Sequence, residues 1–178
     1  NKKHSGSWGI GGCLSFYPAK IAGCIGDGGA LITNNDNLAK FARSVRDHGR
    51  GEDFEAINWG RNSRLDSLNA RILIERIKNI HNILAKRRKL ASIYDLELKS
   101  LEYESYIKLP PKFSTNSDSL STYQNYEIQA KNREALINYL NKNNIGTIKQ
   151  WGGFSIAHFS KLGFDIDEFP KTKKLFNL

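Results

Sequence analysis

The sequence predicts an α/β fold, in which part of an α/β domain is followed by a long helix and a small α+β domain. Two short apolar runs bounded by glycines, residues 12–16 and 29–33, have the length and composition of buried strands. Apolar residues at three- and four-residue spacing over residues 63–101 are typical of one long helix. Beyond it, residues 126–129 and 145–148 have the pattern of strands flanking a helix.

These patterns divide the 178 residues into three parts. We expect residues 1–62 to be the C-terminal part of a large domain, 63–101 a connecting helix, and 102–178 a truncated small α+β domain. Two strands are too few for a stable sheet, so we expect the missing strands from residues before position 1 or from another chain. Because the sequence contains no methionine, we expect a fragment or processed chain, incomplete at both ends.

Local signals predict where the first elements begin and end. Asp27 and Gly28 favour a tight reversal between the two strands. Either Asn35 or Asp36 is expected to cap a helix, and a His-Gly pair at residues 48–49 is expected to end it.

Similar signals mark the rest of the chain. Ser63 and Asp66 have the spacing of a capping box at the start of the connecting helix. Residues 109–122 predict a loop or a lightly structured crossover. Asn132 is expected to cap the helix of the small domain, and Pro170 to lie in the first turn of a last helix.

Composition excludes some classes of protein. No apolar run approaches the length of a membrane span and no secretory signal begins the chain, which favours a cytoplasmic protein without a membrane partner. Cys13 and Cys24 lack metal-ligand spacing, so we expect buried small side chains and no metal. The net charge is +9, but its densest cluster, residues 86–89, is expected to be a solvated helix face and not a nucleic-acid site.

Lys20 differs from the other lysines because it closely follows a strand, in the string SFYPAK at residues 15–20. We expect apolar surroundings there, which favour a neutral amine that can attack a carbonyl. Ser15 lies five residues earlier, where its hydroxyl could reach an anion held near the same amine. An amine and a hydroxyl are what the aldehyde and phosphate of pyridoxal 5'-phosphate (PLP) need.

Five motifs carry a resemblance to a known family. They are SFYPAK, GDGGA, TNN, RDHG and NSRLD, which begin at residues 15, 26, 33, 46 and 62. Their order and spacing resemble the DegT/DnrJ/StrS family of PLP-dependent sugar aminotransferases, and weaker similarity continues to residues 169–170. The resemblance implies the type I, aspartate aminotransferase-like fold of PLP-dependent transferases.

The resemblance also implies roles for individual residues. Lys20 would be the catalytic lysine that forms a Schiff base with PLP, and the Ser15 hydroxyl would bind the cofactor phosphate. Asn62 matches an asparagine that reaches the phosphate in the neighbouring subunit, which implies a homodimer with shared active sites; the alternative is a turn asparagine. Arg64 is either a structural anchor or a contact to an anionic substrate group, and both interpretations stay open.

Two residues of the small domain match positions near the sugar nucleotide. Trp151 and His158 are therefore substrate-contact candidates, although each is explained at least as well as a packing residue. The string QWGG at residues 150–153 departs from the family's commonest pattern and indicates a subgroup.

The activity implied is transfer of an amino group, from glutamate in most of the family, to a keto-sugar nucleotide for polysaccharide or glycan biosynthesis. Lys20 would also carry a proton between the donor carbon and the cofactor. In the family, the aspartate that pairs with the pyridine nitrogen and the residue that stacks on the ring precede the region where this chain begins. We therefore expect these 178 residues alone to be inactive.

Three other functions compete with this one. An oxidoreductase nucleotide site fails because Leu14 stands where GxGxxG spacing from Gly9 requires a small residue. Nucleic-acid binding through residues 86–89 predicts strong salt dependence. A noncatalytic homologue, either a regulator or a pseudo-enzyme, is the main alternative.

Overall fold

The computed structural model describes residues 5–111 and 121–176 and contains both helices and strands, as the predicted α/β class requires. The chain forms two compact units, Asn1–Arg87 and Arg88–Leu178. The three-part division at residues 62 and 101 stays a prediction.

The first unit contains a hairpin of two strands. Strands β1 (Gly12–Ser15) and β2 (Gly29–Ile32) pair antiparallel, with Ser15 opposite Gly29. The prediction that both strands are buried is wrong, because exposed and half-buried residues alternate along each of them. In the described part of the chain the two strands pair only with each other. Opposite residues such as Cys13 and Leu31 are both exposed, so one face of the hairpin is open.

Helix α1 (Asp36–Arg46) follows the hairpin and confirms the predicted start and stop. Of the two candidate caps, Asn35 is the one that acts, since its side-chain oxygen accepts the amide hydrogen of Leu38 at 2.9 Å. His48 and Gly49 then take left-handed backbone angles, with φ of 62° and 78°, and turn the chain away from the helix axis.

A closed loop over residues 47–62 comes next. Its neck is a close crossing of two glycines: a Cβ atom built on Gly60 would lie 2.1 Å from the Gly49 nitrogen. The Arg61 amide donates to the Val45 carbonyl at 2.9 Å, and this bond attaches the C-terminal end of the loop to α1. The loop exposes three large apolar side chains: Phe54, Ile57 and Trp59.

Three helical segments occupy the predicted connecting helix: α2 (Ser67–Lys78), α3 (Ile80–Glu97) and α4 (Lys99–Tyr103). The backbone hydrogen-bond ladder passes through the interruption at Asn79, whose carbonyl accepts from the Ile83 amide at 3.2 Å. The predicted capping box led by Ser63 is wrong, because the extended residue Asp66 is the N-cap and accepts from the Leu68 amide. The helix therefore begins at Ser67.

The second unit contains a short strand pair and two further helices. Strands β3 (Ile107–Lys108) and β4 (Gln129–Ala130) pair antiparallel. Helix α5 (Arg133–Lys142) is capped by Asn132, as predicted. Helix α6 (Pro170–Phe176) begins at the predicted proline. Four short 3₁₀ turns lie between them: Gln150–Gly153, Ile156–His158, Ser160–Leu162 and Ile166–Glu168.

The predicted strands of this unit are only partly correct. The first is reduced to Gln129–Ala130, and residues 145–148 form no strand. No described strand pairs with this segment, and the Ile148 side chain is 90% exposed. Most of the loop predicted over residues 109–122 lies outside the described residues.

Among the described residues, few apolar side chains are buried, and most of them are small. They are Cys24, Leu73, Ala91, Leu109, Ala130 and Ala157. Cys24 is buried as predicted, but Cys13 is exposed because it lies on the open face of the hairpin. In the part of the chain that the structure describes, no helix has the length and apolarity to cross a membrane. Nor do three metal-binding side chains cluster among residues 5–111 and 121–176.

Candidate functional site

Lys20 lies in a turn that is fastened to the hairpin. Its amide donates to the Tyr17 carbonyl at 2.8 Å, which closes the turn. The Phe16 amide donates to the Gly28 carbonyl at 2.8 Å, and the Cys24 amide donates to the Phe16 carbonyl at 2.7 Å. These backbone bonds hold the turn at both ends, so the position of Lys20 is set by β1.

Gly23 allows this turn to close and was missed from the sequence. A Cβ atom built there would lie 2.6 Å from the carbonyl oxygens of Tyr17 and Pro18, and 2.9 Å from that of Lys20. The buried main chain at residue 23 therefore packs directly against the backbone of the lysine turn. The glycine between Ala22 and Cys24 is the signal that could have indicated this close approach.

The Lys20 side chain is exposed, which makes the prediction of apolar surroundings wrong. The cause is that Tyr17, Pro18 and Ala19, which precede it on the turn, are themselves exposed. Within the described residues, no ion pair or side-chain hydrogen bond holds its ammonium group. The amine is free to meet a reactant.

Ser15 is brought close to the Lys20 turn through one shared residue. The Tyr17 amide donates to the Ser15 hydroxyl oxygen at 3.3 Å, while the Tyr17 carbonyl accepts from the Lys20 amide. Because the Ser15 oxygen acts as the acceptor, its own hydrogen can be donated to an anion. A free amine and a hydroxyl donor therefore stand at the same end of the hairpin.

Asn62 and Arg64 form a separate cluster with Asp47. The Arg64 Nε donates to the Asn62 Oδ1 at 3.2 Å, and its Nη1 lies 3.6 Å from the Asp47 Oδ1. That Asp47 oxygen is buried and, among the described residues, accepts no hydrogen bond, so the guanidinium compensates its charge only at ion-pair distance. These contacts within the chain support the anchor interpretation of Arg64. Asp47 was not predicted to belong to this cluster.

The remaining two candidates lie in the second unit. The His158 Nδ1 accepts the Ser155 amide hydrogen at 3.0 Å and lies 2.9 Å from the Ser155 hydroxyl. Its ring packs edge-on against Phe154 and Phe176, with centroids 5.8 and 5.4 Å away. These contacts support the packing interpretation of His158. Trp151, in contrast, is 86% exposed.

Comparison with known proteins agrees with the motifs around Lys20. The model of the DegT/DnrJ/EryC1/StrS aminotransferase family matches residues 1–176. The chain belongs to this family. The resemblance predicted from the five motifs is thereby confirmed, and its weaker extension to the C-terminal region is confirmed with it.

Three relatives illustrate the family. A UDP-2-acetamido-2-deoxy-3-oxo-D-glucuronate aminotransferase of Pseudomonas aeruginosa is 39% identical over 124 residues, covering 70% of this chain and 33% of that protein. A pleiotropic regulatory protein of Geobacillus stearothermophilus is 31% identical over 178 residues, covering 98% of this chain and 46% of that protein. The crystal structure of NtdA from Bacillus subtilis with bound cofactor PMP superposes with a TM-score of 0.76 at 26% identity. The match covers 96% of this chain and 40% of that chain. The chain therefore spans less than half the length of these relatives.

Proposed function

We propose that the full-length protein is a PLP-dependent sugar aminotransferase and that this chain supplies its cofactor lysine. The amino donor would be glutamate and the acceptor a keto-sugar nucleotide used for surface polysaccharide or glycan biosynthesis. The observation that carries the proposal is the free amine of Lys20, held on a turn beside the Ser15 hydroxyl, in a chain matched by the family model over residues 1–176. The cytoplasmic location stays a prediction.

The side chains of this turn fit PLP. When bound, PLP supplies an aldehyde that condenses with amines and a ring that accepts electrons. The exposed Lys20 amine would attach to that aldehyde, and the Ser15 hydroxyl would donate to the phosphate. Once the donor amine has displaced it, Lys20 would take the proton from the donor carbon and deliver it to the cofactor.

The relatives support two parts of this proposal, the acceptor and the cofactor. The P. aeruginosa relative is an aminotransferase named for a UDP-linked 3-oxo sugar, which supports a keto-sugar nucleotide as acceptor. The B. subtilis structure holds PMP, the form that PLP takes after it has received an amino group, which supports the cofactor.

A homodimer with shared active sites is also part of the proposal. Asn62 is exposed at the end of the loop over residues 47–62, where it could reach another subunit. The same loop carries Trp59, which is fully exposed, and the apolar side chains of Phe54 and Ile57. Three exposed large apolar side chains on one loop favour contact with a second protein surface. Arg64 would hold this loop through Asp47.

A regulatory protein is the second candidate. The 31% identity to the pleiotropic regulatory protein of G. stearothermophilus extends over 98% of this chain and favours it. Such a protein could keep the fold and the lysine without turnover.

A panel of substrates separates the two candidates. The full-length protein is incubated with glutamate and a set of UDP- and dTDP-linked keto-sugars, and amino-sugar formation is followed by mass spectrometry. We expect at least one sugar to gain an amino group in exchange for its keto oxygen. If PLP binds but no amino sugar forms, the aminotransferase proposal is contradicted and the regulatory function is favoured.

Gly23→Ala tests whether the shape of the turn matters for the site. The added methyl group would meet carbonyl oxygens at 2.6 Å, so the backbone of the Lys20 turn must shift. Since a misplacement of about 1 Å costs roughly 10²-fold in rate, we expect a fall of about that size in kcat/KM. Gly26→Ala is the matched control, because its methyl group would meet only the flexible Asn69 side chain at 3.4 Å. Equal activity of the two variants would exclude the turn as the determinant of Lys20 position.

A further inference from the structure

Helix α2 carries two polar side chains on either side of its buried residue. Asn69, Leu73 and Arg76 recur at spacings of four and three residues, so they lie on the same side of the helix. Leu73, between the other two, is only 6% exposed. Arg71 and Lys78 lie on the opposite side, and both are exposed. Asn69 and Arg76 therefore belong to the side of α2 that packs within the first unit.

Arg76 binds the main chain directly after Lys20. Its Nε donates to the carbonyl of Ile21, the next residue, at 3.4 Å. Within residues 5–111 and 121–176 the Arg76 guanidinium pairs with no carboxylate, whereas Arg71 on the same helix pairs with Glu75 at 3.0 Å. The charge of Arg76 is thus directed to the peptide that follows the lysine.

Asn69 binds the main chain further along the same segment. The Gly26 amide donates to the Asn69 Oδ1 at 3.3 Å, in a partly buried position. A methyl group on Gly26 would only touch the Asn69 Nδ2 at 3.4 Å and would leave the amide in place, so this bond depends on Asn69. Removal of the Asn69 oxygen would deprive a partly buried amide of its acceptor, which is costly.

An apolar contact holds the end of the segment. A Cβ atom built on Gly28 would lie 2.9 Å from the Leu65 Cδ1 and 3.4 Å from the Sγ of the buried Cys24. Leu65 immediately precedes Asp66, the N-cap of α2. Residues 21–28 are therefore held by α2 and its N-terminal flank at their beginning, near their middle and at their end, in addition to their backbone bonds to Phe16.

We propose that Asn69 and Arg76 are positioning residues that fix the place of the Lys20 amine by holding residues 21–28 on α2. The inference rests on the proposed function and adds two residues to it. Since no described side chain holds the Lys20 ammonium group, the main chain on both sides of Lys20 sets where the amine can reach. Asn69 and Arg76 act through Lys20 and need not touch the cofactor or the substrates.

Hydrogen exchange of backbone amides in the full-length protein, followed by mass spectrometry, measures this attachment without any activity. We expect Asn69→Leu to speed exchange of the Gly26 amide about three- to tenfold, the effect of losing one hydrogen bond. Arg76→Met should speed exchange of the Lys20 and Cys24 amides to a similar extent, because their turn is no longer held at Ile21.

Matched variants show whether the lost hydrogen bond is the cause. Asn69→Asp keeps an acceptor oxygen and Arg76→Lys keeps an N–H donor, so both should preserve most of the protection. Arg71→Met removes an exposed ion pair of the same helix, and Asn82→Leu removes a side-chain hydrogen bond to Asn79. Exchange of residues 20–28 should stay unchanged in these two controls.

Kinetics of the glutamate half-reaction then test the link to Lys20. We expect Asn69→Leu and Arg76→Met each to lower kcat about three- to tenfold with the KM for the sugar nearly unchanged, because neither residue binds the sugar. The double variant should approach a loss of about 10²-fold, the cost of a misplaced catalytic group. With glutamate deuterated at its α-carbon, the isotope effect should rise in these variants, since Lys20 moves that proton. A mere loss of folded protein would lower the rate without changing the isotope effect.

Each outcome decides the inference. Exchange of residues 20–28 equal to that of the controls in both Asn69→Leu and Arg76→Met overturns the attachment. Faster exchange with unchanged kcat overturns the positioning role, and so does a lower kcat with an unchanged isotope effect. If no keto-sugar nucleotide is aminated at all, the proposed function fails, and the exchange rates still decide whether Asn69 and Arg76 hold the segment after Lys20.

Discussion

Replacement of Lys20 by alanine is expected to abolish amino transfer by the full-length protein, with a fall in kcat of about 10⁴-fold or more. The variant removes both the amine that attaches to PLP and the group that carries the proton, and these two roles cannot be divided between other residues. Lys20 is the one lysine among residues 17–23, which form the turn that Gly23 closes. The loss should therefore be nearly complete.

Spectroscopy separates the attachment from the turnover. PLP added to the unsubstituted protein should give the visible absorbance of its condensation with an amine, and Lys20→Ala should not. Lys40→Ala, which removes an exposed lysine on α1, is the control and should keep both absorbance and activity. Lys20→Arg preserves the charge but not the nucleophile, because a guanidinium stays protonated, and should be as inactive as alanine. Activity of either Lys20 variant near that of the control would contradict the assignment.

Elements specified by adjacent residues were predicted well from the sequence. Helix α1 begins and ends where expected, because the Asn35 side chain and the His48 and Gly49 backbone act within one turn of the helix. Residues 145–148 show the limit of the same approach. Their β-branched pattern is real, but a strand also needs a partner that brings its own hydrogen bonds, and local sequence cannot supply that information.

The candidate site divides in a similar way. The motif around Lys20 indicated the residue and its neighbour Ser15, but it did not indicate that the lysine is exposed, since cover depends on tertiary packing. Contacts across many residues were missed altogether. The Asp47–Arg64 and Gly26–Asn69 pairs join residues that have no periodic or motif relationship, and only the folded chain brings them together.

Gly49→Ala is expected to destabilise the first unit by roughly 4 kcal/mol, a large effect for one methyl group. The residue has φ of 78°, which a side chain disfavours by about 1–2 kcal/mol. In addition, its Cβ atom would lie 1.7 Å from the Asn58 carbonyl oxygen, a distance that no small adjustment relieves. The crossing with Gly60 must open, and the Gly49 carbonyl would lose the hydrogen bonds it accepts from the amides of Ile57 and Asn58.

Urea unfolding of the full-length protein measures this effect, with Gly146→Ala as the matched control. A Cβ atom at Gly146 would meet no atom within 4 Å, so that variant should stay within about 0.5 kcal/mol of the unsubstituted protein. Equal unfolding midpoints for Gly49→Ala and Gly146→Ala would show that the neck of the loop is not tight. Because the same loop ends at Asn62, a weakened neck should also reduce activity more than the change in stability alone explains. That second loss would connect the glycine crossing to the proposed contact of Asn62 with a neighbouring subunit.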